Sequence, residues 1–220
     1  MQHRVKENLK RIQEEIAPYK PNIIAVTKYF DENAIVEAYE AGLRDFGESR
    51  VIEASEKIER LPEYVKENST FHFIGHLQSN KAKRAVERFD LIHSVDSVKL
   101  ASKISEYALE IGKVQNILLQ LNNANEVQKS GFSKTELFES FDEIISLPAI
   151  RVKGLMNMAP LGAEENILET LFHEVRLTRD ELESKFNCKL PEISMGMSQD
   201  YVIAAKEGAT MLRIGRKLFE

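Results

Sequence analysis

Hydrophobic and polar positions along the chain switch repeatedly between two periods. Short apolar runs read as buried strands near Ile23–Lys28, Asp45–Glu48, Thr70–Gly75, Leu91–Val95, Val114–Leu121, Arg151–Met158, Glu192–Met195 and Thr210–Ile214. Between them lie amphipathic stretches with helical spacing at Glu32–Ala41, Arg50–Arg60, Lys81–Arg88, Val98–Ile111, Lys134–Ser146, Glu165–Phe186 and Asp200–Glu207, and a further helix leads the chain through about Ala17. Gly42, Gly112 and Gly208 stand where a helix should stop and the next strand begin. Eight short βα units within 220 residues predict a parallel sheet closed into a (β/α)8 TIM barrel with an extra N-terminal helix, rather than an open doubly wound sheet. No repeat, low-complexity tract or linker divides the chain, so residues 1–220 are expected to form a single domain.

Lys28 closes the first strand pattern, Asn22-Ile23-Ile24-Ala25-Val26-Thr27-Lys28. A desolvated ammonium is costly without a partner. One reading is a lysine that snorkels from the strand end to solvent. The other is chemical: a partly desolvated lysine titrates low, becomes a nucleophilic amine and forms a Schiff base with an aldehyde.

The barrel pattern gives that position a context. Active sites of such barrels lie at the carboxyl ends of the strands, and phosphate groups are commonly held by the loops after strands 7 and 8. The seventh strand runs into Ser194-Met195-Gly196-Met197-Ser198-Gln199-Asp200, which offers a glycine for close backbone approach, a hydroxyl at Ser198 and a helix start. The eighth runs into Arg213-Ile214-Gly215-Arg216, again with a glycine just past the strand. An aldehyde-reactive lysine facing a phosphate cradle calls for a phosphorylated aldehyde, and pyridoxal 5′-phosphate is the commonest such cofactor. Arg213 at the end of strand 8 has two readings: an always-charged side chain that reaches the pyridine nitrogen and keeps it unprotonated, or, as the residues alone favour, a surface or salt-bridged arginine.

Composition narrows the class. A net charge of −5, with acids and bases interspersed as in Glu53-Ala54-Ser55-Glu56-Lys57, argues against nucleic acid as a partner. The lone Cys188 excludes an internal disulfide framework, and a small buried thiol is expected there. The charged start Met1-Gln2-His3-Arg4-Val5-Lys6-Glu7 lacks a signal peptide's apolar stretch, and no apolar run approaches the ~20 residues of a membrane helix, so a soluble cytoplasmic protein is expected.

Seven motifs in order, Ala25-Val26-Thr27-Lys28, Asp45-Phe46-Gly47-Glu48, His72-Phe73-Ile74-Gly75-His76-Leu77-Gln78-Ser79-Asn80-Lys81, Lys129-Ser130-Gly131, Lys153-Gly154-Leu155-Met156, Ser194-Met195-Gly196-Met197-Ser198 and Met211-Leu212-Arg213-Ile214-Gly215, closely resemble the YggS/PROSC family. These are pyridoxal phosphate homeostasis proteins, similar to the barrel domain of alanine racemase. The resemblance covers nearly the whole chain. It implies that Lys28 is the Schiff-base lysine and that Ser198 with the backbone around Met197 forms a phosphate-binding turn. It also implies that Gly215 and Arg216 give backbone phosphate contacts and that Arg213 faces the pyridine nitrogen.

The departures from the family pattern bear on the site. Ser49 stands where the family usually has Asn, which puts a cofactor contact from that position in question. Phe30 replaces a second lysine found in many members, so no transfer role for that lysine applies. His76 stands where Pro is common, and Arg216 where Thr or Ser is common, which trades one hydroxyl for a charge. Lys129 matches a family lysine without an assigned role.

Other conspicuous residues read as structural. His72 and His76, four apart on a strand, are separated by ~13 Å and cannot share a metal ion. Gln78-Ser79-Asn80 reads as an N-cap for a helix starting at Lys81. His93, near the end of strand 4, either lines the pocket or is a packed imidazole.

Two function classes follow. The first is a monomeric carrier that binds, buffers and delivers pyridoxal phosphate to apo enzymes without efficient turnover. The second is a pyridoxal-phosphate-dependent amino-acid racemase or related enzyme. Racemisation needs two bases on opposite faces of the substrate, and alanine racemase takes the second from a further domain and subunit. This chain reaches Glu220 immediately after strand 8, so the second base is expected to be missing unless His93 supplies it. An uncharged pyridine also weakens the electron sink. A phosphosugar-binding barrel enzyme with a Schiff-base lysine fits the fold pattern but not the motifs.

Overall fold

The computed structural model describes residues 2–124 and 130–220. Eight parallel strands close into a barrel in chain order, β1 (Asn22–Val26), β2 (Asp45–Glu48), β3 (Thr70–Phe73), β4 (Leu91–Val95), β5 (Gln115–Leu121), β6 (Ile150–Asn157), β7 (Glu192–Ser194) and β8 (Met211–Ile214). Closure comes from β1 pairing with β8, with Ile24 in register with Arg213. The helices are α1 (Gln2–Glu15), α2 (Glu32–Glu40), α3 (Val51–Arg60), α4 (Glu63–Glu67), α5 (Ala82–Arg88), α6 (Val98–Glu110), α7 (Lys134–Ile145), α8 (Glu165–Phe186), α9 (Tyr201–Lys206) and α10 (Arg216–Phe219).

Most strands and helices fall within a residue or two of their sequence-based bounds, and Gly42, Gly112 and Gly208 all take positive φ at helix ends. Three differences matter. β1 ends at Val26, because its pairing with β2 stops at Val26 opposite Gly47 and a Phe30 N–H to Thr27 carbonyl bond turns the chain. The short helices α4 and α10 have too few turns to show a period in the sequence, and α10 separates strand 8 from Glu220. Gln78-Ser79-Asn80 is not an N-cap: Ser79–Lys81 is a 3-10 turn leading into α5 at Ala82, without a side-chain cap. Lys129 lies outside the described residues.

Two apolar cores follow from the alternation of strand side chains. The outer one packs strand residues such as Ile23, Ala25, Phe46, Phe71 and Leu212 against the helices. A small separate cluster, Ile24, Leu91, Leu118, Met156 and Met211, occupies the lumen. The neighbouring inward positions are polar: His72, His93, Ser194 and Arg213 are all buried. That polar layer is unusual, since barrel interiors are mostly filled by branched apolar side chains.

Candidate functional site

A cavity of about 870 Å³ opens at the carboxyl ends of the strands, a size suited to a small-molecule ligand. Lys28, Ser49, Met197, Ser198, Arg213, Gly215 and Arg216, the seven residues singled out in the sequence, all line it. So do Phe30 and His76. β1 and β2 deliver Lys28 and Ser49, the β7 loop delivers Met197 and Ser198, and β8 delivers Arg213, Gly215 and Arg216. Residues up to 188 apart in the chain therefore meet at one rim.

Lys28 is exposed, not desolvated. It sits on the turn after β1, with Nζ 5.0 Å from the centroid of the Tyr29 ring, itself 78% exposed. The buried lysine is the one sequence reasoning passed over. Lys57 of α3 donates to Glu48 Oε1 at 2.7 Å and to the Thr27 carbonyl at 2.8 Å, and Thr27 Oγ1 donates to the same carboxylate oxygen at 2.7 Å. Glu48 and Lys57 are 2% and 7% exposed. This pair fixes the peptide immediately before Lys28, so the turn that carries the amine starts from an anchored point.

Arg213 is the opposite case. Its two terminal nitrogens donate to Ser194 Oγ at 2.6 Å and to the Asn157 carbonyl at 2.7 Å. Burial pulls its guanidinium down to about 10, with the Asp200 carboxylate opposing the shift. It is charged at neutral pH.

The β7 loop turns at Gly196, whose φ of +88° is open to glycine. A Cβ there would lie 2.5 Å from that of Ala204, so no side chain fits. The Met197 N–H is taken by Asp200 Oδ1 at 2.5 Å, a contact the sequence did not foresee. Burial raises the Asp200 carboxyl above its usual range despite that hydrogen bond and the attraction of Arg213. Beyond Met197, Ser198 and the start of α10 at Gly215 and Arg216 line the same cavity, and the first N–H groups of that helix have no partner within it. Arg216 is exposed and adds charge.

His93 does not line the cavity. It is fully buried, with Nε2 2.9 Å from His72 Nδ1 and Nδ1 2.9 Å from Ser194 Oγ. Burial first, with the Arg213 charge adding to it, holds it well below its ordinary value of 6.5. It is a packed, neutral imidazole and cannot act as a base in the cavity. His72 points into the lumen and bonds Asp45 at 2.8 Å, while exposed His76 lies 3.7 Å from Asp96. Among the described residues there is no group of three metal-ligating side chains. Cys188 is half-buried, not buried, and burial with the nearby Glu183 raises its thiol, which disfavours the nucleophilic thiolate. No helix among the described residues is long and apolar enough to cross a membrane.

The donor set fits one kind of molecule. An accessible amine, a buried guanidinium and a hydroxyl beside a glycine-framed turn suit an aldehyde, a ring-nitrogen acceptor and a phosphate on one small scaffold. Two acids, Asp200 and Glu220, line the cavity, and the Asp200 carboxylate is already engaged by the Met197 N–H.

Comparisons with known proteins agree with this geometry. The family described as alanine racemase, N-terminal domain, matches residues 2–219. The chain is 41% identical over 208 residues to a Synechocystis protein named pyridoxal phosphate homeostasis protein, covering 94% of each. Among solved structures it is similar to PipY of Synechococcus elongatus with PLP bound, at 38% identity and a TM-score of 0.88, covering 98% of this chain and 100% of PipY. A Clostridium difficile alanine racemase superposes with a TM-score of 0.76 at 14% identity, with 56% of its length covered, which shows the shared barrel fold alone. On these matches and the cavity they coincide with, the chain belongs to the pyridoxal phosphate homeostasis proteins of the alanine racemase N-terminal domain family.

Proposed function

We propose that this protein binds pyridoxal 5′-phosphate in the cavity and takes part in cofactor homeostasis, holding the cofactor through Lys28 and delivering it to apo enzymes without efficient turnover. The observation that carries this reading is the meeting of Lys28, Arg213 and the Ser198–Gly215 cradle on one cavity. The names of the relatives and the PLP-bound PipY structure support it.

Each residue has a task derived from its position. Exposed Lys28 is the amine that attaches reversibly to the cofactor's aldehyde, and its exposure keeps that link open to exchange with incoming amines. Ser198 and the backbone N–H groups near Met197 and Gly215 hold the phosphate, with Arg216 adding charge. Asp200 must release the Met197 N–H if that group is to take part. Arg213, charged and anchored at both ends of its fork, donates toward the ring nitrogen and keeps it unprotonated. Ser49 lines the β2 side of the cavity. When bound, pyridoxal phosphate supplies an aldehyde that amines add to reversibly and an electron-withdrawing ring. With the nitrogen kept neutral that withdrawal is weak, and His93, the candidate second base, is sealed from the cavity. Holding and release fit these residues better than proton transfer at a substrate carbon. We assign this role to a monomeric, cytoplasmic, single-domain protein.

The test loads the purified protein with pyridoxal phosphate, follows its visible band, reduces with borohydride and maps the labelled peptide. Label on the peptide containing Lys28, its loss in Lys28→Ala, and transfer of cofactor to an added apoenzyme are expected. Racemisation or deamination of single amino-acid enantiomers near the ~1–10³ s⁻¹ of ordinary enzymes would replace the carrier reading with the enzyme one.

A further inference from the structure

A line of hydrogen bonds, buried except at its Asp45 end, crosses the barrel lumen and ends on the cavity. Asp45, at the amino end of β2, bonds His72 Nε2 on β3 at 2.8 Å. His72 Nδ1 lies 2.9 Å from His93 Nε2 on β4, and His93 Nδ1 lies 2.9 Å from Ser194 Oγ on β7. Ser194 Oγ accepts from Arg213 on β8 at 2.6 Å. His72, His93, Ser194 and Arg213 are between 0% and 4% exposed.

The positions of the protons follow from the two ends. Burial works against the Asp45 carboxylate, but hydrogen bonds from His72 and Asn22 outweigh it and hold the group below its ordinary range, so it is ionised. An ionised Asp45 needs a hydrogen on His72 Nε2. At the far end arginine has donors and no acceptor, so Ser194 Oγ receives its N–H. Besides Arg213, the one partner Ser194 Oγ has among the described residues is His93, so its own proton goes to His93 Nδ1. The one proton of His93 then sits on Nε2 and is donated to His72 Nδ1. The ends set the two tautomers independently, and they agree in the middle.

All four bonds thus donate toward Asp45. Every nitrogen of both rings is used, and a buried polar network rigidifies its surroundings only when fully satisfied. An apolar filling of the lumen would be the ordinary solution. The polar layer has one product at the cavity, the orientation of Arg213.

We propose that Asp45, His72, His93 and Ser194 are positioning residues for Arg213, a relay that locks its guanidinium plane and sets its donor strength toward a bound ring nitrogen. The proposal rests on the assignment of Arg213 to the pyridine nitrogen. Ser194 holds one terminal nitrogen and the Asn157 carbonyl holds the other. The remaining N–H groups of the fork are those a cavity ligand meets.

Two measurements test it. On the cofactor-free wild-type protein, ¹⁵N NMR of the imidazoles should show His72 and His93 both neutral with the proton on Nε2 at pH 7. A cationic His72, or an Nδ1–H tautomer of either ring, overturns the relay, and this readout needs neither a variant nor a cofactor. With pyridoxal phosphate bound, Ser194→Ala and His93→Phe should move the visible band and the pH at which it titrates toward the values of Arg213→Lys. Affinity should fall by about tenfold, the equivalent of one hydrogen bond to a charged group. His93→Gln, which keeps one acceptor and one donor, should restore most of the band. If Arg213→Lys moves the band and Ser194→Ala does not, the relay is overturned while Arg213 keeps its place at the ring. If neither moves it, the assignment of Arg213 falls and the relay with it.

Discussion

Lys28 and Lys57 meet at the same peptide and do opposite things. Lys57 is 7% exposed and gives its ammonium to the Thr27 carbonyl and Glu48, whereas Lys28, the next residue along from Thr27, stands in solvent over the Tyr29 ring. A buried ammonium is tolerated because two oxygens replace its water; the exposed one keeps its water and needs no such compensation. The fold therefore spends its fixed cation on anchoring β1 to β2 and α3. It leaves Lys28 exposed on a turn that begins from that anchor. An amine that must form and release a covalent link gains from exposure, whereas one that staples two strand ends gains from burial.

The largest effect should come from breaking the sealed pair. Lys57→Met leaves Glu48 buried without a cation and should cost about 3–5 kcal/mol of stability, read from the urea midpoint. Glu48→Gln combined with Lys57→Met should recover most of that loss. A cost below ~1 kcal/mol, the value of an exposed pair, would make Lys57 a surface lysine in all but position.

The same division extends to histidines, where exposed His76 contrasts with sealed His93. Below its ordinary value of 6.5, His93 takes up a proton in the unfolded chain that the folded protein refuses. Stability should therefore fall as pH falls from 6.5, by up to ~1.4 kcal/mol per unit for one such group. His93→Gln should flatten that slope. An unchanged slope in the variant would place the acid sensitivity elsewhere.

The smallest effect on stability belongs to Lys28. Lys28→Ala should leave the urea midpoint within about 0.5 kcal/mol of wild type, while abolishing covalent attachment of pyridoxal phosphate. A loss of several kcal/mol would mean that the turn is held by its amine and would erase the contrast with Lys57.

Much of this was readable in the chain. The eight strands and the long helices carry their period in the order of residues, and glycines 42, 112 and 208 mark real helix ends because only a residue without Cβ takes those φ values at little cost. The cavity residues were readable for a related reason. In a barrel every strand's carboxyl end faces the same rim, so Lys28, Ser198, Arg213 and Gly215 could be placed together from topology alone.

Burial was not readable. Lys28 follows an apolar run and so looks desolvated, yet strand pairing stops at Val26 and the turn lifts it out. Lys57 lies on α3 beside an inward stripe of Val51, Ala54, Ser55 and Ile58, and nothing in that spacing marks it as buried. His93, near a strand end, left two readings open, and its buried ring in the lumen settles them for the packed imidazole. α4 and α10 are too short to declare a period. By itself, then, the sequence determined the barrel, its order and the rim on which the chemistry gathers, because periodicity and turn residues act locally. Only the tertiary structure decided which charged groups are sealed and which are free. The partners that settle this, 27 residues apart for Asp45 and His72, 21 for His72 and His93 and 101 for His93 and Ser194, become neighbours when the barrel closes and not before.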